Sequence, residues 1–428
     1  MKIDFDYGDF SSLTDDTKSL DDKSIFLLTS QNKRYYEALP KKPVAITPSQ
    51  LVSSWGLEAL DVVGVTGTNG KTTVTAIIYS LMLDLGRKPA LQGTRGFFAN
   101  EERLEEKSMT TPSVLETLLH MKQALAKGCD CFIMEVSSHA IDQKRIEGIT
   151  FALKVHTNVT ADHLDYHKTI EEYRRVKSIF FADDSPKLLN KDDLAHITYN
   201  PTNAKSYGVD NMATYKVQAF SLNGGIHGLI KYLEEEATFS SPMVGLFNLY
   251  NLLAGVGAVS MLTQKPLQEI CDALDNFGGV AGRMEVVSKE PLVIVDFAHT
   301  DDGMLQVLQS MKDKTLSVVF GAGGNRDRQK RPRMGAIAGR FATKIYVTSD
   351  NPRDEEPQVI IDEILSGLLG KENVRVFVDR KEAIKNAIEE LKEGEALLIL
   401  GKGDEDYQEI KGVKHHFDDR EVVRELLG

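Results

Sequence analysis

Short apolar runs rich in β-branched residues recur along the middle of the chain, and stretches with helical periodicity separate them. The runs "DVVGVTG" (61–67), "CFIMEVSS" (131–138) and "ALKVHTNVT" (152–160) favour buried β-strands. The apolar stretch "VTAIIYSLMLDLG" (74–86) favours a helix after the first of them. Strands that alternate with helices are typical of a parallel sheet with crossover connections. The pattern therefore predicts a parallel α/β sheet that begins at Asp61.

Two other patterns border this region. Residues 205–245 alternate between apolar and polar positions around a Gly-Gly pair, as in "TYKVQAFSLNGGIHGLIKYLEE" (214–235), which favours antiparallel strands. A helical stretch, "NLYNLLAGVGAVSMLT" (248–263), follows. The first 60 residues hold only short apolar pieces, such as "SIFLLTS" (24–30), between polar turns. We predict a small N-terminal α/β module there, too short for a large core of its own.

From Arg283 onward the strand pattern returns, and each apolar run ends in a cluster of polar residues. The predicted strands are "LVIVDF" (292–297), "LSVVF" (316–320), "KIYVTS" (344–349), "VRVFVD" (374–379) and "ALLILG" (396–401). The polar clusters are "DFAHTDD" (296–302), "GAGGNRD" (321–327), "SDNPRDEE" (349–356), "VDRKE" (378–382) and "GKGDEDY" (401–407). Ligands of open α/β sheets bind outside the carboxyl ends of the strands, so we expect one binding face there. The alternative is a set of ordinary surface turns.

A glycine-rich segment, "DVVGVTGTNGKTTVTA" (61–76), joins the first predicted strand of the central region to its helix. Gly67 and Gly70 let main-chain N–H groups face a phosphate, and Lys71 can reach the β- and γ-phosphates. Thr72 can offer its hydroxyl to Mg²⁺. The usual spacing would place glycine where this chain has Val65, so the motif is a variant of the phosphate-binding loop. The alternative is a structural glycine-rich turn.

We therefore predict an α/β protein with three domains, since single cores stop growing well below 428 residues. The first is a short N-terminal α/β module (1–60). The second (61–282) is a central ATPase-type parallel sheet with a phosphate-binding loop and an antiparallel part. The third (283–428) is a C-terminal Rossmann-like domain.

Composition and charge narrow the class of partner. The net charge of −12 and the pI near 5.4 argue against nucleic acid or an anionic membrane as the main partner. No apolar window approaches the roughly 18 residues of a membrane span, and the acidic N-terminus is unlike a signal peptide. Three cysteines cannot form a disulfide framework. We expect a monomer in the reducing cytoplasm, bound neither to nucleic acid nor to a membrane.

Acids and histidines follow the next predicted strands. Glu135 closes the strand "CFIMEV", where a carboxylate can hold Mg²⁺ directly or through water. The segment "TNVTADHLDYH" (157–167) supplies His163, which is either a metal or phosphate contact or part of a capped turn. Lys177 lies in an amphipathic helical stretch, where a solvated charge is the default. Asn248 and Asn251 have the spacing of a helix start and can cap the helix or bind a purine edge.

Taken in order, these motifs resemble those of the ATP-dependent Mur ligases from about residue 60 to the C-terminus. The matching segments are "GTNGKTT", "EVSSHAIDQKR", "TNVTADHLDYH", "YRRVK", "FNLYN", "GRMEVV", "DFAHT", "DNPR" and "GKGDEDYQ". "DNPR" together with "GKGDEDYQ" is similar to the branch of the family that adds meso-2,6-diaminopimelate. The resemblance implies that ATP, with Mg²⁺, activates the γ-carboxylate of D-glutamate in UDP-N-acetylmuramoyl-L-alanyl-D-glutamate. The amine of meso-diaminopimelate then attacks the acyl phosphate.

The resemblance also implies roles for particular residues. Catalytic positions are Lys71, Glu135, His163 and Lys177, of which the last three, with Thr72, are metal-associated; Lys177 matches a carbamylated lysine. ATP contacts are Gly67, Thr68, Asn69, Gly70, Lys71, Thr72, Thr73, Asn248, Asn251, Arg283 and His299. Contacts to the UDP-muramoyl dipeptide are Thr110, Thr111, Ser137, Gln143 and Arg145, with residues 1–60 on the UDP side. The diaminopimelate pocket is Arg326, Asp350, Asn351, Pro352, Arg353, Gly401 and Glu405.

Other functions stay open at this point. The same fold serves ligases that add L-lysine and folylpolyglutamate synthases, which would use a different amino acid. A non-catalytic nucleotide-binding switch is an alternative of another class. The guanidinium of Arg353 favours a substrate with a second carboxylate, because arginine holds carboxylates through two parallel hydrogen bonds.

Overall fold

The structure is a computed structural model that describes residues 1–106, 109–370 and 372–428. The described chain divides into two compact units. The first unit contains Met1–Ser221, His227–Ser241 and Tyr250–Phe277. The second contains Leu222–Ile226, Pro242–Leu249 and Gly278–Gly428.

A small sheet opens the first unit. Its elements are β1 (Lys2–Tyr7), β2 (Phe10–Thr14), β3 (Ser24–Leu27), α1 (Lys33–Glu37), β4 (Ala45–Ile46) and α2 (Pro48–Ser54). The strands lie in the order β1-β2-β3-β4; β1 and β2 are antiparallel, whereas β2, β3 and β4 are parallel. Side chains of this sheet, such as Leu13 and Ile25, share one buried core with Val62 and Phe132 of the central sheet. The small module is therefore stabilised by burial against its neighbour, as its length suggested.

The central sheet supplies most of the first unit. Its strands are β5 (Asp61–Thr66), β6 (Pro89–Gly93), β7 (Gly96–Ala99), β8 (Glu102–Glu105), β9 (Cys131–Glu135), β10 (Leu153–His156), β11 (Lys187–Asn190), β12 (Ala204–Gly208), β13 (Tyr215–Ser221), β14 (Ile226–Tyr232) and β15 (Glu235–Ser241). The helices of this part are α3 (Lys71–Asp84), α4 (Val114–Ala126), α5 (Ser138–Asp142), α6 (Leu164–His167), α7 (Ile170–Ile179), α8 (Leu246–Thr263) and α9 (Leu267–Asp272). The strand order is β15-β14-β13-β12-β11-β10-β5-β9-β6-β7-β8.

Register in the centre of this sheet determines which residues meet at its carboxyl edge. β9, β5 and β10 are adjacent and parallel, with Glu135 opposite Val65 and His156 opposite Thr66. Three connections therefore start at the same edge: the glycine-rich loop, the segment after Glu135 and the segment after His156. β13 and β14 are antiparallel, as predicted, but β12 and β13 are parallel.

The second unit is built on a second, mostly parallel sheet. Its elements are β16 (Glu285–Lys289), β17 (Leu292–Asp296), α10 (Asp301–Ser310), β18 (Thr315–Phe320), α11 (Lys330–Phe341), β19 (Lys344–Thr348), α12 (Pro357–Leu365), β20 (Val374–Phe377), α13 (Arg380–Glu389), β21 (Glu395–Leu400), β22 (Tyr407–Ile410), β23 (Val413–His416) and α14 (Asp419–Leu427). The strand order is β16-β17-β21-β18-β19-β20, and β22 pairs with β23. All neighbours in the larger sheet are parallel except β16 and β17.

Two buried clusters cover the two faces of this sheet. Ile294 and Val318 belong to one cluster, and Val293 and Val319 belong to the other. Successive residues of a strand point to opposite faces, which is why continuous apolar strands need helices on both sides. The predicted fold class, α/β with parallel sheets, is confirmed.

One expectation about α8 needs correction. No apolar stretch of membrane-spanning length was expected, but among the described residues Leu246–Thr263 meets that test by length and composition. Two thirds of the window is buried within the protein, as in the core helix of a globular protein.

Candidate active site

The glycine-rich loop joins β5 to α3 in close contact with the segment after β10. A Cβ atom on Gly67 would lie 1.8 Å from Oγ1 of Thr157. Gly70 has φ +84°, in the left-handed region, and a Cβ there would lie 2.5 Å from Oδ1 of Asn251. Only glycine fits both positions without displacing the neighbours. The loop therefore packs closely against the segment after β10, and the N-terminus of α3 follows directly after the loop.

Asn158 clamps this loop, although the sequence did not single it out. Its Oδ1 accepts a hydrogen bond from the main-chain N–H of Asn69 at 2.9 Å, and its Nδ2 donates to the carbonyl of Asn69 at 3.1 Å. Its own carbonyl accepts from the N–H of Thr68 at 2.8 Å. These bonds fix the loop conformation, which preorganises its remaining N–H groups for an anion.

We expect replacement of Asn158 by alanine to weaken ATP binding roughly tenfold, because two hydrogen bonds that hold the loop are lost. Kd for ATP, measured by calorimetry, checks this result. Asn386→Ala is the control, since the exposed side-chain amide of Asn386 donates to the carbonyl of Glu382 on α13. An unchanged Kd in Asn158→Ala would contradict the clamp.

Lys71 and Thr72 begin α3. The Lys71 ammonium donates to the carbonyls of Gly67 and Thr68 at 2.8 Å each, so its positive charge lies over the loop. The Thr72 hydroxyl donates to Oε2 of Glu135 at 3.1 Å. Main-chain N–H groups at a helix N-terminus and a lysine charge together make an anion-binding site.

Glu135 is only 1% exposed and stands at the centre of a second set of hydrogen bonds. The main-chain N–H of Thr94 donates to its Oε1 at 2.9 Å, and the Thr94 hydroxyl lies 3.3 Å from its Oε2. Thr94 is another site residue that the sequence did not indicate. A buried carboxylate beside a hydroxyl at the phosphate loop is an all-oxygen donor set of the kind that Mg²⁺ prefers.

Lys177, on α7, is buried, so the solvated-charge interpretation is wrong. Its Nζ is 3.5 Å from Oγ1 of Thr66 and 4.9 Å from the centre of the Tyr173 ring. No carboxylate lies within ion-pair distance of it among the described residues. Burial, followed by the positive charge of Lys71, lowers the pKa of Lys177 well below its ordinary value. The lowered pKa favours the uncharged form of this amine near the phosphate loop.

His163 lies in a cluster of aromatic rings and not in a compact ligand set. It has φ +53°, its ring packs edge-on against His139 at 4.8 Å, and its side chain is 47% exposed. Within the described residues, the one group of three His, Cys, Asp or Glu side chains spaced for a metal is Glu105, Glu116 and His120. Its histidine already has partners in Glu105 at 3.1 Å and Gln92 at 2.7 Å.

The residues expected to contact the UDP-muramoyl dipeptide form one connected network. The Thr111 hydroxyl donates to the carbonyl of Glu135 at 2.9 Å and accepts from the N–H of Ser137 at 3.0 Å. Arg145 donates to the carbonyl of Thr111 and to the side chain of Gln143, each at 2.9 Å. The Thr110 hydroxyl lies 3.2 Å from that of Thr94. The network links the predicted substrate contacts to the carboxylate beside the phosphate loop.

The second unit gathers the "DNPR" and "GKG" segments at the carboxyl ends of β19 and β21. Asn351 donates to Oε2 of Glu405 at 2.9 Å, and the buried ammonium of Lys402 lies 3.1 Å from the same oxygen. Arg353, with φ +51°, donates to the carbonyl of Gly324 at 2.7 Å. Charged and amide groups from three strand tips thus lie close together, as their positions at the carboxyl ends of the strands predicted.

A buried ion pair between Arg380 and Asp419 lies next to these charged groups. Arg380 binds both oxygens of Asp419 at 2.8 Å and donates to the carbonyl of Leu400 at 3.0 Å. Burial would raise the pKa of Asp350, but the charges of Lys402 and Arg380 outweigh it and hold that pKa below its ordinary value. The Asp350 carboxylate is therefore ionised next to these charged groups.

The other expected residues of the second unit are more dispersed. Arg326 is exposed, and Arg283 lies over the ring of Phe297 at 4.2 Å. Nδ1 of His299 donates to the carbonyl of Phe297 at 2.9 Å, and Asn248 donates to the carbonyl of Val244 at 2.8 Å.

Comparisons with known proteins agree with this arrangement. The family description "Mur ligase middle domain" matches residues 65–259, and "Mur ligase, glutamate ligase domain" matches residues 282–403. Similar relatives come from Wolinella succinogenes (52% identity, covering 100% of this chain and 99% of the relative), Helicobacter hepaticus (49%, 97% and 96%) and Helicobacter pylori (48%, 97% and 95%). Each is named UDP-N-acetylmuramoyl-L-alanyl-D-glutamate--2,6-diaminopimelate ligase.

Solved structures give the same result. A structure of a ligase with that name is 30% identical, with a TM-score of 0.68 over 97% of this chain and 94% of its own. A folylpolyglutamate synthase from Mycobacterium tuberculosis, complexed with ADP and AMPPCP, has a TM-score of 0.69 over 83% of this chain and 91% of its own. At 16% identity it shows a shared fold alone.

The fold and the site define an ATP-dependent, ADP-forming amide ligase. Its glycine-rich loop is attached to one sheet, and a separate sheet carries a cluster of charged groups at its strand tips. The chain belongs to the Mur ligase family, whose members ligate peptides in peptidoglycan synthesis. The predicted family and enzyme class are confirmed.

Proposed function

We propose that this ligase joins meso-2,6-diaminopimelate to the γ-carboxyl group of D-glutamate in UDP-N-acetylmuramoyl-L-alanyl-D-glutamate. The observation that carries the proposal is the identity of 48–52% to three ligases of that name over almost their whole length. The pocket around Arg353 supports it, because a guanidinium suits an amino acid with a second carboxylate. The domain boundaries proposed for these roles are 1–60, 61–282 and 283–428.

The first step converts a carboxylate into an electrophile. A γ-carboxylate oxygen attacks the γ-phosphorus of ATP, the bond to the bridging oxygen breaks, and ADP leaves with that electron pair. Two anions must approach, so the reaction requires local positive charge. The loop residues Gly67–Thr73 supply main-chain N–H groups, and Lys71 supplies an ammonium beside them. They hold the phosphates and stabilise the charge that develops on the leaving ADP.

The second step forms the amide. The neutral amine of diaminopimelate attacks the acyl carbon, and the tetrahedral intermediate expels inorganic phosphate while the nitrogen loses a proton. Thr111, Ser137, Gln143 and Arg145 would orient the acyl substrate, and their connection to Glu135 supports that role. Orientation of two bound reactants provides much of the rate gain in such a step.

Thr72 and Glu135, together with Lys177 if it is carbamylated, would hold Mg²⁺, since the Thr72 hydroxyl and the Glu135 carboxylate already lie side by side. When bound, Mg²⁺ neutralises phosphate charge and so reduces the repulsion in the first step. An ammonium at Lys177 would oppose a cation, whereas its carbamate would be a carboxylate-like ligand. The neutral Nζ can attack CO₂ to form an N–C bond with release of one proton. His163 would contact the metal or the phosphate from the exposed side of the same edge.

A cavity of about 430 Å³ next to the small sheet supports a site for the UDP end of the substrate. It is lined by residues of the N-terminal module and by the first residues of α4. Lys18, Asn32, Tyr35 and Ser113 are among the lining residues. Hydrogen-bonding and aromatic groups in one concave site suit a nucleotide base and its sugar.

Amino-acid-dependent ADP release tests the proposal. Purified protein with ATP, Mg²⁺ and UDP-N-acetylmuramoyl-L-alanyl-D-glutamate should release ADP in amounts equal to the amide formed, and only when meso-diaminopimelate is added. L-lysine and L-glutamate in place of diaminopimelate should give little product. Equal use of either would assign the chain to another ligase of the same fold. ADP release with no amide from any amino acid would contradict ligase activity.

A further inference from the structure

Three ionisable side chains outside the candidate active site come together between β8 and α4. They are Glu105, the last residue of β8, and Glu116 and His120 on α4. One ligand atom from each of them lies within 4.8 Å of the other two. Glu116 and His120 are four residues apart, so they share one face of the helix. The proposed reaction assigns no role to any of the three.

Hydrogen bonds on one side of the imidazole fix the tautomer of His120, a side chain that is only 1% exposed. The amide of Gln92 donates through Nε2 to the Thr117 hydroxyl at 3.4 Å, which turns its Oε1 toward the ring. Nδ1 of His120 lies 2.7 Å from this Oε1. Because an amide oxygen only accepts hydrogen bonds, Nδ1 carries the hydrogen. Nε2 of the neutral ring therefore presents a lone pair.

This lone pair faces a carboxylate. Nε2 of His120 lies 3.1 Å from Oε2 of Glu105, and stacking on the Phe97 ring at 4.4 Å holds the imidazole in this orientation. An ionised carboxylate and the neutral Nε2 are both acceptors. Two acceptors repel each other at this distance unless a cation lies between them, which is either a proton on Nε2 or a metal ion.

The second carboxylate favours a metal ion over a proton. Among the described residues, nothing forms a hydrogen bond or an ion pair with the carboxylate of Glu116. A proton on Nε2 would supply one positive charge for the carboxylates of Glu105 and Glu116. A divalent ion bound to the neutral ring would balance both carboxylates, and charges beside a buried group are stable when they are compensated.

We propose that Glu105, Glu116 and His120 bind a divalent transition-metal ion of the class of Zn²⁺. Tetrahedral Zn²⁺ with bonds of about 2.0–2.1 Å places neighbouring ligand atoms about 3.3 Å apart. The 3.1 Å between His120 and Glu105 is close to that spacing. An imidazole nitrogen disfavours Mg²⁺ and Ca²⁺, which prefer oxygen ligands. Gln92 is then the acceptor that orients the ligating histidine, a usual partner in metal sites.

The ion would join the end of β8 to the first two turns of α4. Thr110 and Thr111, which are expected to contact the acyl substrate, lie between these two elements in the sequence. The ion would therefore stabilise the fold next to these residues and take no part in the reaction. The metal site does not depend on the proposed function.

Zinc titration of the full-length protein tests the site. The protein is stripped of metals with a chelator, returned to buffer with excess Mg²⁺, and titrated with Zn²⁺ against a chromophoric competitor. Glu116→Gln and Glu105→Gln each remove one charge and keep the side-chain length, so either variant can test the site if the other does not fold. Glu425→Gln is the control for an exposed glutamate, since Glu425 pairs with Lys381. His416→Gln is the control for zinc at an exposed histidine.

We expect one tight Zn²⁺ site in the unchanged protein and a Kd that is roughly 100-fold higher or more in each glutamate variant. Even the partners that only orient a metal ligand contribute about 10–100-fold to affinity. Both controls should keep the site. Zn²⁺ should also raise the unfolding temperature of the unchanged protein more than that of the two variants, because an ion that binds the folded state stabilises it.

Equal Zn²⁺ affinity in the unchanged protein and in both glutamate variants would overturn the proposal. A His120 ring that ¹⁵N NMR shows to be protonated on both nitrogens at neutral pH with Zn²⁺ present would also overturn it, because a proton would then occupy the place of the ion. Failure of the proposed function is separate, since the titration uses neither ATP nor the other substrates.

Discussion

Replacing Lys177 with methionine should lower kcat by on the order of 10²–10³-fold, the usual effect of removing one group that stabilises charge in a transition state. The residue is 1% exposed and lies near the phosphate loop without a carboxylate partner among the described residues. Methionine keeps the length and apolar character of the side chain but cannot form a carbamate. Steady-state ADP release measures the loss.

Although Lys177→Met should lower kcat, it should not lower the stability of the fold. Burial of an amine is unfavourable, and the pKa of Lys177 lies well below its ordinary value because of it. The unfolded chain therefore binds a proton more tightly than the folded chain, so this lysine destabilises the fold at neutral pH and less so as the pH rises. We expect Lys177→Met to unfold at the same temperature or a higher one.

Lys187 is a matched control, since it is also buried. Its ammonium donates to the carbonyls of Asp183 and Thr202 at 2.9 and 2.8 Å, away from the phosphate loop. Lys187→Met should keep kcat but lose about 1–3 kcal/mol of stability, because two carbonyls lose their donor. A kcat of Lys177→Met within threefold of the original would contradict a catalytic role for this lysine, given the expectation of a far larger effect.

Replacing Arg353 with alanine should raise KM for meso-diaminopimelate by about 10–100-fold and leave KM for ATP unchanged. The guanidinium is 22% exposed, and it has N–H donors beyond those that contact Gly324 and Glu409. Loss of the side chain removes the partner of the distal carboxylate and leaves the charge of Glu409 without a cation.

L-lysine provides an internal check on this variant. Because it has no distal carboxylate, its weak use should not decline further in Arg353→Ala. Arg375→Ala is the matched control, since Arg375 is exposed and pairs with Glu390 at 2.9 Å. An unchanged KM for meso-diaminopimelate in Arg353→Ala would refute the assigned role.

Local patterns in the sequence were enough to predict β5, β9 and β10, the five parallel strands β17–β21, the glycine-rich loop and the polar strand tips, but they did not indicate β6, β7, β8 or β11. The glycines at 67 and 70 are a local signal for the loop, and parallel neighbours bring Glu135 to the same edge as the loop. The features that the sequence did not reveal are non-local. Asn158 meets the loop only because β10 pairs with β5, and Thr94 reaches Glu135 from a separate turn.

The burial of lysine side chains also could not be predicted from the sequence. Lys177 occupies a helix that reads as amphipathic, and only tertiary packing makes it buried. In the same way, Lys402 stands in a quoted motif with no visible role, yet it is buried and ion-paired with Glu405. A charged residue in a sequence looks the same whether it is solvated or enclosed.

An isotope experiment tests the central claim most directly. The γ-carboxylate of D-glutamate in the UDP-muramoyl dipeptide is labelled with ¹⁸O, and the products formed with ATP and meso-diaminopimelate are analysed by mass spectrometry. Activation through an acyl phosphate transfers one carboxylate oxygen to phosphorus, so the released phosphate should carry one ¹⁸O for each amide formed. Amide formation with unlabelled phosphate, or labelled dipeptide recovered without amide, would contradict the account.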